Sequence, residues 1–131
     1  MMLFTRKSPI HGTGVFTDSP IRARTKIGEY SGERISVHEG RRRAKKQRCI
    51  TIVEVTDKLA IDGSVNGGPF TYINHSCSPN VYMRIAYGRA EFYSLRDLKA
   101  GEELTFDYGE SHHYGKVPCG CGSTRCQKFL K

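Results

Sequence analysis

Short runs of alternating or β-branched residues recur along the chain and are separated by turn residues. Such runs are typical of β-strands. Glycine and proline, with 14 and 5 residues, are spread throughout, which indicates many short elements joined by turns. The pattern predicts strands at residues 2–5, 26–30, 49–55, 59–62, 90–95 and 103–108.

Two segments have the features of short helices. Ser36 is a suitable N-cap, and Glu39 completes an S-x-x-E capping box, so a helix is predicted over residues 37–47. A second helix is predicted to begin after Ser123 and to run through Phe129. Because the strands do not alternate with long helices, we expect a mainly β fold with short helices and not a doubly wound α/β fold.

Length and composition narrow the class of protein. A chain of 131 residues favours one domain, and 37% hydrophobic with 26% charged residues is typical of a globular protein. No apolar run approaches the length of a membrane span, and the start MMLFTRKSP is too short and too soon charged for a signal peptide. We therefore expect a soluble intracellular protein, in the cytoplasm or in a nucleus, with reduced thiols.

The net charge of +8 lies in the first part of the chain. Residues 1–50 carry 12 Lys and Arg against 4 Asp and Glu, whereas residues 51–131 carry 9 against 9. Most of the excess is in the run RRRAKKQR at residues 41–48. This run fits a solvated helix face, a patch that contacts nucleic-acid phosphates, or a nuclear import signal, and the sequence leaves all three open.

The spacing of the cysteines indicates a metal site. The tail CGCGSTRC places Cys119, Cys121 and Cys126 in a C-x-C-x4-C pattern, with glycines that allow tight bends. A structural zinc site has four ligands, and Cys77, in a polar irregular segment, is a better fourth ligand than Cys49, which opens a strand-like run. A disulfide or a redox dithiol is the alternative. Five cysteines is an odd number, and no C-x-x-C follows a strand, so zinc is favoured.

Four blocks and the tail together resemble one known family. They are IHGTGVF at 10–16, GEYSGERI at 28–35, NHSCSPN at 74–80, ELTFDYG at 103–109, and the tail CGCGSTRCQKFL. In this order they resemble the SET-domain protein lysine methyltransferases that carry a post-SET tail. A lone GxG would be weak evidence, but NHSCxPN followed by ELTFDY and C-x-C-x4-C is highly specific.

The resemblance implies a SET fold of several small β-sheets with a C-terminal pseudoknot. In that fold the segment after ELTFDY is threaded beside NHSC. The SET domain is then expected over residues 1–112, with a short insert at 36–61 that contains the basic helix. A zinc-binding post-SET tail is expected over residues 113–131.

The resemblance also implies the transfer of a methyl group from S-adenosylmethionine to a protein lysine ε-amine. Less than roughly one lysine in a thousand is neutral at pH 7, so the site must lower the pKa of the amine by desolvation and by the positive charge of the cofactor. A histone or histone-like protein is the expected substrate. A non-histone protein substrate and a non-catalytic, zinc-stapled module that binds nucleic acid are the alternatives, and a homodimer is also left open.

The family motifs assign roles to particular residues. By resemblance, Tyr108 is the catalytic tyrosine and Tyr30 lines the same site. Phe106 lies in the lysine channel, where a phenylalanine leaves room for a di- or trimethyl product. Members often have Arg-Phe before Ile-Asn-His, whereas this chain has Thr71-Tyr72.

The implied cofactor contacts are His11, Gly12, Thr13, Gly14, Tyr30, Asn74, His75 and Gly120, and the implied zinc ligands are Cys77, Cys119, Cys121 and Cys126. Ser76, Pro79 and Asn80 are expected to shape the turn.

Overall fold

The computed structural model describes residues 2–10, 12–46 and 51–107, together with the backbone of residues 117–118 and 129–130. This part of the chain is mainly β, with one α-helix and one 3-10 helix (Pro69–Tyr72). None of its helices is long and apolar enough to cross a lipid bilayer. The elements are β1 (Leu3–Lys7), β2 (Thr13–Thr17), β3 (Lys26–Glu29), β4 (Glu33–Ser36), α1 (Val37–Ala44), β5 (Ile52–Glu54), β6 (Leu59–Asp62), β7 (Asn74–His75), β8 (Val81–Ala86), β9 (Arg89–Ser94), β10 (Glu103–Phe106), β11 (Val117–Pro118) and β12 (Phe129–Leu130).

The strands form several small sheets. A four-stranded sheet has the order β1-β2-β10-β7, in which β10 is antiparallel to β2 and parallel to β7. Two three-stranded antiparallel sheets have the orders β3-β9-β8 and β4-β6-β5, and β11 pairs with β12. This arrangement confirms the prediction of a mainly β fold with several small sheets.

Helix α1 packs on the β4-β6-β5 sheet through its one buried residue, Gly40. A Cβ at Gly40 would lie 3.1 Å from Ile52 and 3.3 Å from Ala60, so the small residue allows the close approach. At the start of the helix the Ser36 side chain accepts a hydrogen bond of 3.0 Å from the Glu39 amide, which is half of the predicted capping box.

The core that joins the sheets is centred on Phe92 of β9, which is fully buried. Its ring stacks on Phe70 with centroids 4.4 Å apart and meets Phe106 edge-on at 5.4 Å. Tyr30 lies on a third side at 6.4 Å. A Cβ at Gly28 would lie 2.7 Å from the Phe70 ring, so glycine is required there for the stacking. Each aromatic pair contributes about 0.5–1.5 kcal/mol beyond its buried area.

Asn80 holds β10 in place beside the segment that follows β7. Its side-chain oxygen accepts from the Thr105 amide at 2.9 Å, and its Nδ2 donates to the Glu103 carbonyl at 2.8 Å. The Asn80 amide in turn donates to the Thr105 carbonyl at 3.2 Å. The buried Asn80 therefore bonds to β10 as a neighbouring strand would, which is more than the turn-shaping role expected from the sequence.

Several predicted elements are confirmed, and others are wrong in extent or type. The strand at 59–62 has the predicted bounds, and those at 2–5, 26–30, 90–95 and 103–108 are present with shifted ends. Helix α1 ends at Ala44 instead of residue 47, and the strand predicted at 49–55 is observed over Ile52–Glu54. The helix predicted through Phe129 is wrong at its end, because Phe129 pairs with Pro118 in a strand. The other positions of this predicted helix lie outside the described residues. The same is true of Gln47, Cys49, Tyr108 and the segment that the pseudoknot would thread.

We predict that Asn80→Ala lowers the free energy of unfolding by about 2–3 kcal/mol, because the buried Thr105 amide and Glu103 carbonyl lose their partner. Urea unfolding of the purified chain would measure this difference. Asn66→Gly is the matched control, since Asn66 is exposed and has a positive φ of 54° that glycine also adopts. A loss below about 0.5 kcal/mol for Asn80→Ala would contradict its role in holding β10.

Candidate functional site

Three of the four sequence motifs meet at β10. On one side β10 pairs with β2, with Leu104 opposite Val15. On the other side it pairs with β7, with Thr105 opposite Asn74 and Phe106 opposite His75. The Ser76 amide continues this contact by donating to the Phe106 carbonyl at 3.1 Å. Residues far apart in sequence are thereby brought to the end of one small sheet.

The orientation of the buried Asn74 carboxamide is determined by its neighbours. Its Nδ2 donates to the Glu103 carboxylate at 3.0 Å and makes a longer contact of 3.4 Å with the Thr13 carbonyl. Both of these neighbours are pure acceptors, so the NH2 group has to face them. The carboxamide oxygen of Asn74 therefore points away from β2 and β10.

Glu103 and Ser8 support this arrangement from the β2 side. The Ser8 hydroxyl lies 2.8 Å from both carboxylate oxygens of Glu103, and it accepts from the Ile10 amide at 3.0 Å. The carboxylate packs directly over Gly14, where a Cβ would come within 2.9 Å of the Glu103 side chain. Gly14 therefore leaves room for Glu103 to reach Asn74.

The loop before β2 contains Gly12 and leads into Thr13, whose carbonyl contacts Asn74. The Gly12 carbonyl accepts from the Ser8 amide at 2.7 Å, which fixes the loop. Gly12 has a φ of 45°, and no described atom lies within 4 Å of the position that its Cβ would occupy. A glycine with open space beside it suits the close approach of a ligand to the backbone. His11 lies outside the described residues.

His75 is buried between a thiol and a carboxylate. Its Nε2 is 3.3 Å from Cys77 Sγ, and its Nδ1 is 3.7 Å from the Asp107 carboxylate. Burial lowers the pKa of His75 below its usual value, and the charge of Asp107 opposes this shift only in part. The imidazole is therefore neutral at pH 7, which fits a structural role better than that of a charged group.

The Cys77 thiol is half-buried beside His75. Within the described residues no three His, Cys, Asp or Glu side chains form a metal-binding group. The other predicted zinc ligands, Cys119, Cys121 and Cys126, and the predicted cofactor contact Gly120 lie outside the described residues. The zinc site therefore stays a prediction that rests on the tail spacing.

Tyr30 is buried with its hydroxyl hydrogen-bonded. The hydroxyl donates to the Thr51 carbonyl at 2.5 Å. Burial raises the pKa of Tyr30 well above its usual value, and the negative charge of Asp62 adds to the increase, while a hydrogen bond with Thr71 acts in the opposite direction. Tyr30 is therefore a neutral phenol at every pH where a protein of this kind works.

Thr71 stands where the resemblance predicts an arginine. Its hydroxyl donates to the Gly63 carbonyl at 2.8 Å and lies beside the Tyr30 hydroxyl. A Cβ at Gly63 would lie 2.3 Å from the Tyr30 oxygen, so the chain passes close to this phenol. In this chain the neutral hydroxyl of Thr71 therefore lies beside Tyr30, at the position where the resemblance predicts a charged arginine.

The buried Asp62 connects the Tyr30 region to helix α1. It accepts from Ser64 Oγ at 2.6 Å, from Thr51 Oγ1 at 3.2 Å and from Arg43 Nη1 at 3.0 Å. Burial by itself would raise the pKa of Asp62, but these hydrogen bonds outweigh it and lower the pKa. Asp62 is consequently a carboxylate at neutral pH.

The first arginines of the run at 41–48 are ion-paired within the chain. Arg41 bonds to Glu54 at 2.9 Å, and Arg42 bonds to Glu39 at 2.6 Å. Arg43 contacts Glu39 at 2.8 Å as well as Glu33 and Asp62. These three guanidinium groups therefore face four carboxylates, which favours the solvated helix face among the predicted alternatives.

Comparison with known proteins shows which family this chain resembles. The sequence profile of the SET domain matches residues 12–109. The chain is 36% identical over 132 residues to "Histone-lysine N-methyltransferase trithorax" of Drosophila virilis, covering 95% of this chain and 3% of that protein. It is 35% identical over 136 residues to "Histone-lysine N-methyltransferase, H3 lysine-4 specific" of Aspergillus oryzae, covering 95% of this chain and 11% of that protein. "Histone-lysine N-methyltransferase 2D" of Homo sapiens is 32% identical over 98% of this chain and 2% of that protein.

The chain therefore belongs to the SET-domain family. It spans only a small fraction of the length of these relatives. Their names describe the reaction of much longer proteins.

Four polar residues of this region were not singled out as site residues from the sequence: Ser8, Thr51, Asp62 and Glu103. Glu103 was part of the recognised block ELTFDYG, but only its aromatic members were assigned roles. Ser8 and Thr51 lie outside the recognised blocks. The hydrogen bond between Ser8 and Glu103 joins residues 95 positions apart, so it leaves no local sequence pattern.

Proposed function

We propose that this chain transfers a methyl group from S-adenosylmethionine to the ε-amine of a protein lysine. The proposal rests on membership of the SET-domain family, together with the pairing of β7 and β10 that places Asn74 and His75 beside Thr105 and Phe106. The cofactor supplies the activated methyl group on its sulfonium. The residues of the chain have to bind it, exclude water and orient the amine.

The described residues fit such a cofactor. The Gly12 loop offers a conformation and a space that suit backbone contact, and Asn74 offers an oriented amide oxygen. In the proposal Gly12, Thr13 and Gly14 line one wall, Asn74 and His75 line the other, and His11 and Gly120 complete the contacts. His75 is held neutral by its burial, so its role is to shape the wall and not to carry charge.

The lysine channel is proposed to lie over the aromatic cluster around Phe92. Phe106 and Tyr30 both pack against Phe92 and present little polar surface. An apolar channel raises the free energy of a charged ammonium and so favours the neutral amine that can attack the methyl group. Because the Tyr30 hydroxyl is bound to Thr51 and stays protonated, Tyr30 is proposed to line the channel and not to act as a base. Tyr108, two residues beyond Phe106, is proposed as the tyrosine that positions the amine.

Zinc is proposed to be structural, with Cys77, Cys119, Cys121 and Cys126 as ligands. Four thiolates complete a tetrahedral site and leave no open position for catalysis. Since Cys77 follows β7 by two residues, the ion would attach the tail over residues 113–131 to the cofactor-binding strand.

The proposed substrate is a histone or histone-like protein, because the relatives are named as histone-lysine methyltransferases. A basic histone tail would be repelled by a free basic patch, and the ion pairs of Arg41, Arg42 and Arg43 reduce this repulsion. The same ion pairs weaken the alternative of a non-catalytic module that binds nucleic acid through residues 41–48. Contact with nucleic acid, a non-histone substrate and a homodimer stay predictions.

We predict that the zinc-loaded chain transfers label from S-adenosylmethionine to lysine, and that Tyr108→Phe reduces the rate by about a hundredfold or more, because a positioned hydroxyl is lost. Core histones, nucleosomes and a cell lysate would be separate substrates, and digestion would identify the labelled lysine. Tyr87→Phe is the matched control, since Tyr87 is 96% exposed at a hairpin turn. Absence of transfer to all three substrates together with absence of cofactor binding would contradict the proposed function.

We also predict the extent of methylation. Phe106 meets Phe92 edge-on and carries no polar group, so the channel is expected to hold a di- or trimethyl-lysine product. Phe106→Tyr adds a hydroxyl that needs a hydrogen-bond partner, and a retained water would fill the space of the added methyl groups. Mass spectrometry of the methylated peptide should shift toward the monomethyl form. Phe4→Tyr is the control, because Phe4 lies on β1, which β2 separates from β10 in the same sheet. An unchanged product distribution for Phe106→Tyr would contradict the prediction.

A further inference from the structure

Glu103 differs from the other glutamates of the described residues in having no ion-pair partner there. Each of the other six lies within 4 Å of a lysine or arginine nitrogen: Glu29, Glu33, Glu39, Glu54, Glu91 and Glu102. The described neighbours of the Glu103 carboxylate are instead the neutral donors Ser8 and Asn74. In a chain of net charge +8, a partly buried carboxylate with only neutral donors suits a cation supplied from outside.

The geometry around Glu103 determines which end of Asn74 faces that cation. Ser8 bonds to both carboxylate oxygens at 2.8 Å and so fixes the plane of the carboxylate. The fixed carboxylate then accepts from Asn74 Nδ2, and the Asn74 oxygen is turned to the opposite side. An amide oxygen held in one orientation, with a negative charge behind its NH2 group, is a suitable acceptor for an ammonium group.

The geometry points to Glu103, held by Ser8, as the positioning residue that makes the Asn74 oxygen select the ammonium of the amino-acid end of the cofactor. This inference rests on the proposed function, in which Asn74 contacts S-adenosylmethionine. Glu103 acts in two ways: it prevents rotation of the Asn74 carboxamide, and its charge favours a cation at the neighbouring position. Its effect should therefore depend on the ammonium and not on the adenosine part of the ligand.

Two ligands that differ only in the ammonium test this directly. S-adenosylhomocysteine carries the group, and its deaminated analogue 5′-(3-carboxypropylthio)adenosine lacks it. Calorimetry with the full zinc-loaded chain should show that Glu103→Gln weakens binding of S-adenosylhomocysteine about tenfold or more, because the Asn74 carboxamide loses its hydrogen bond to a charged acceptor. Binding of the analogue should change less than about twofold. Ser8→Ala should change the ratio of the two affinities in the same direction by a smaller factor.

Glu102→Gln is the matched control, because Glu102 is the adjacent residue and instead accepts from Arg96 and Asn80. It should leave the ratio of the two affinities unchanged. Equal weakening of both ligands by Glu103→Gln, or no weakening of either, would overturn the inference while leaving the proposed function in place. If the unaltered chain binds neither ligand, the proposed function fails together with the inference. Thermal unfolding of each variant would confirm that it is folded.

Discussion

The parallel pairing of β7 with β10 is the interaction on which the rest of the site depends. It involves only two residues on each strand, Asn74 and His75 opposite Thr105 and Phe106, and so few ladder hydrogen bonds cannot hold two distant segments together alone. Asn80 supplies the missing bonds by meeting the β10 backbone at both the Thr105 amide and the Glu103 carbonyl. The proposed cofactor wall and the proposed lysine channel share strand β10 for this reason.

Burial and hydrogen-bond partners determine which side chains in this region carry a charge. Tyr30 and His75 are both held uncharged, because burial favours the neutral form of each. Asp62 stays ionised because Arg43 and three hydroxyl or amide donors surround it. Glu103 alone among the described glutamates faces only neutral donors, which is why it is the one assigned to an external cation.

The sequence predicted those parts of the fold that local patterns encode. The strand at 59–62 and the cap at Ser36 were predictable because apolar alternation and capping chemistry act over a few residues. Strand β8 was missed although Val81, Met83 and Ile85 alternate with polar positions, and β7 has no pattern because a two-residue strand is too short for one. Family motifs named Asn74, but its orientation by Glu103 and Ser8 depends on contacts between distant residues, which no local pattern records.

The most direct test is whether the separate segments around β10 respond as one site. Backbone amides of the zinc-loaded chain would be followed by NMR while S-adenosylhomocysteine is added. Concerted shifts should appear at Gly12–Gly14, at Asn74 and His75, and at Thr105 and Phe106, while the hairpin turn at Tyr87 and Gly88 stays unchanged. Shifts confined to one of these segments, or centred on the β4-β6-β5 sheet, would contradict a cofactor site assembled by the pairing of β7 and β10.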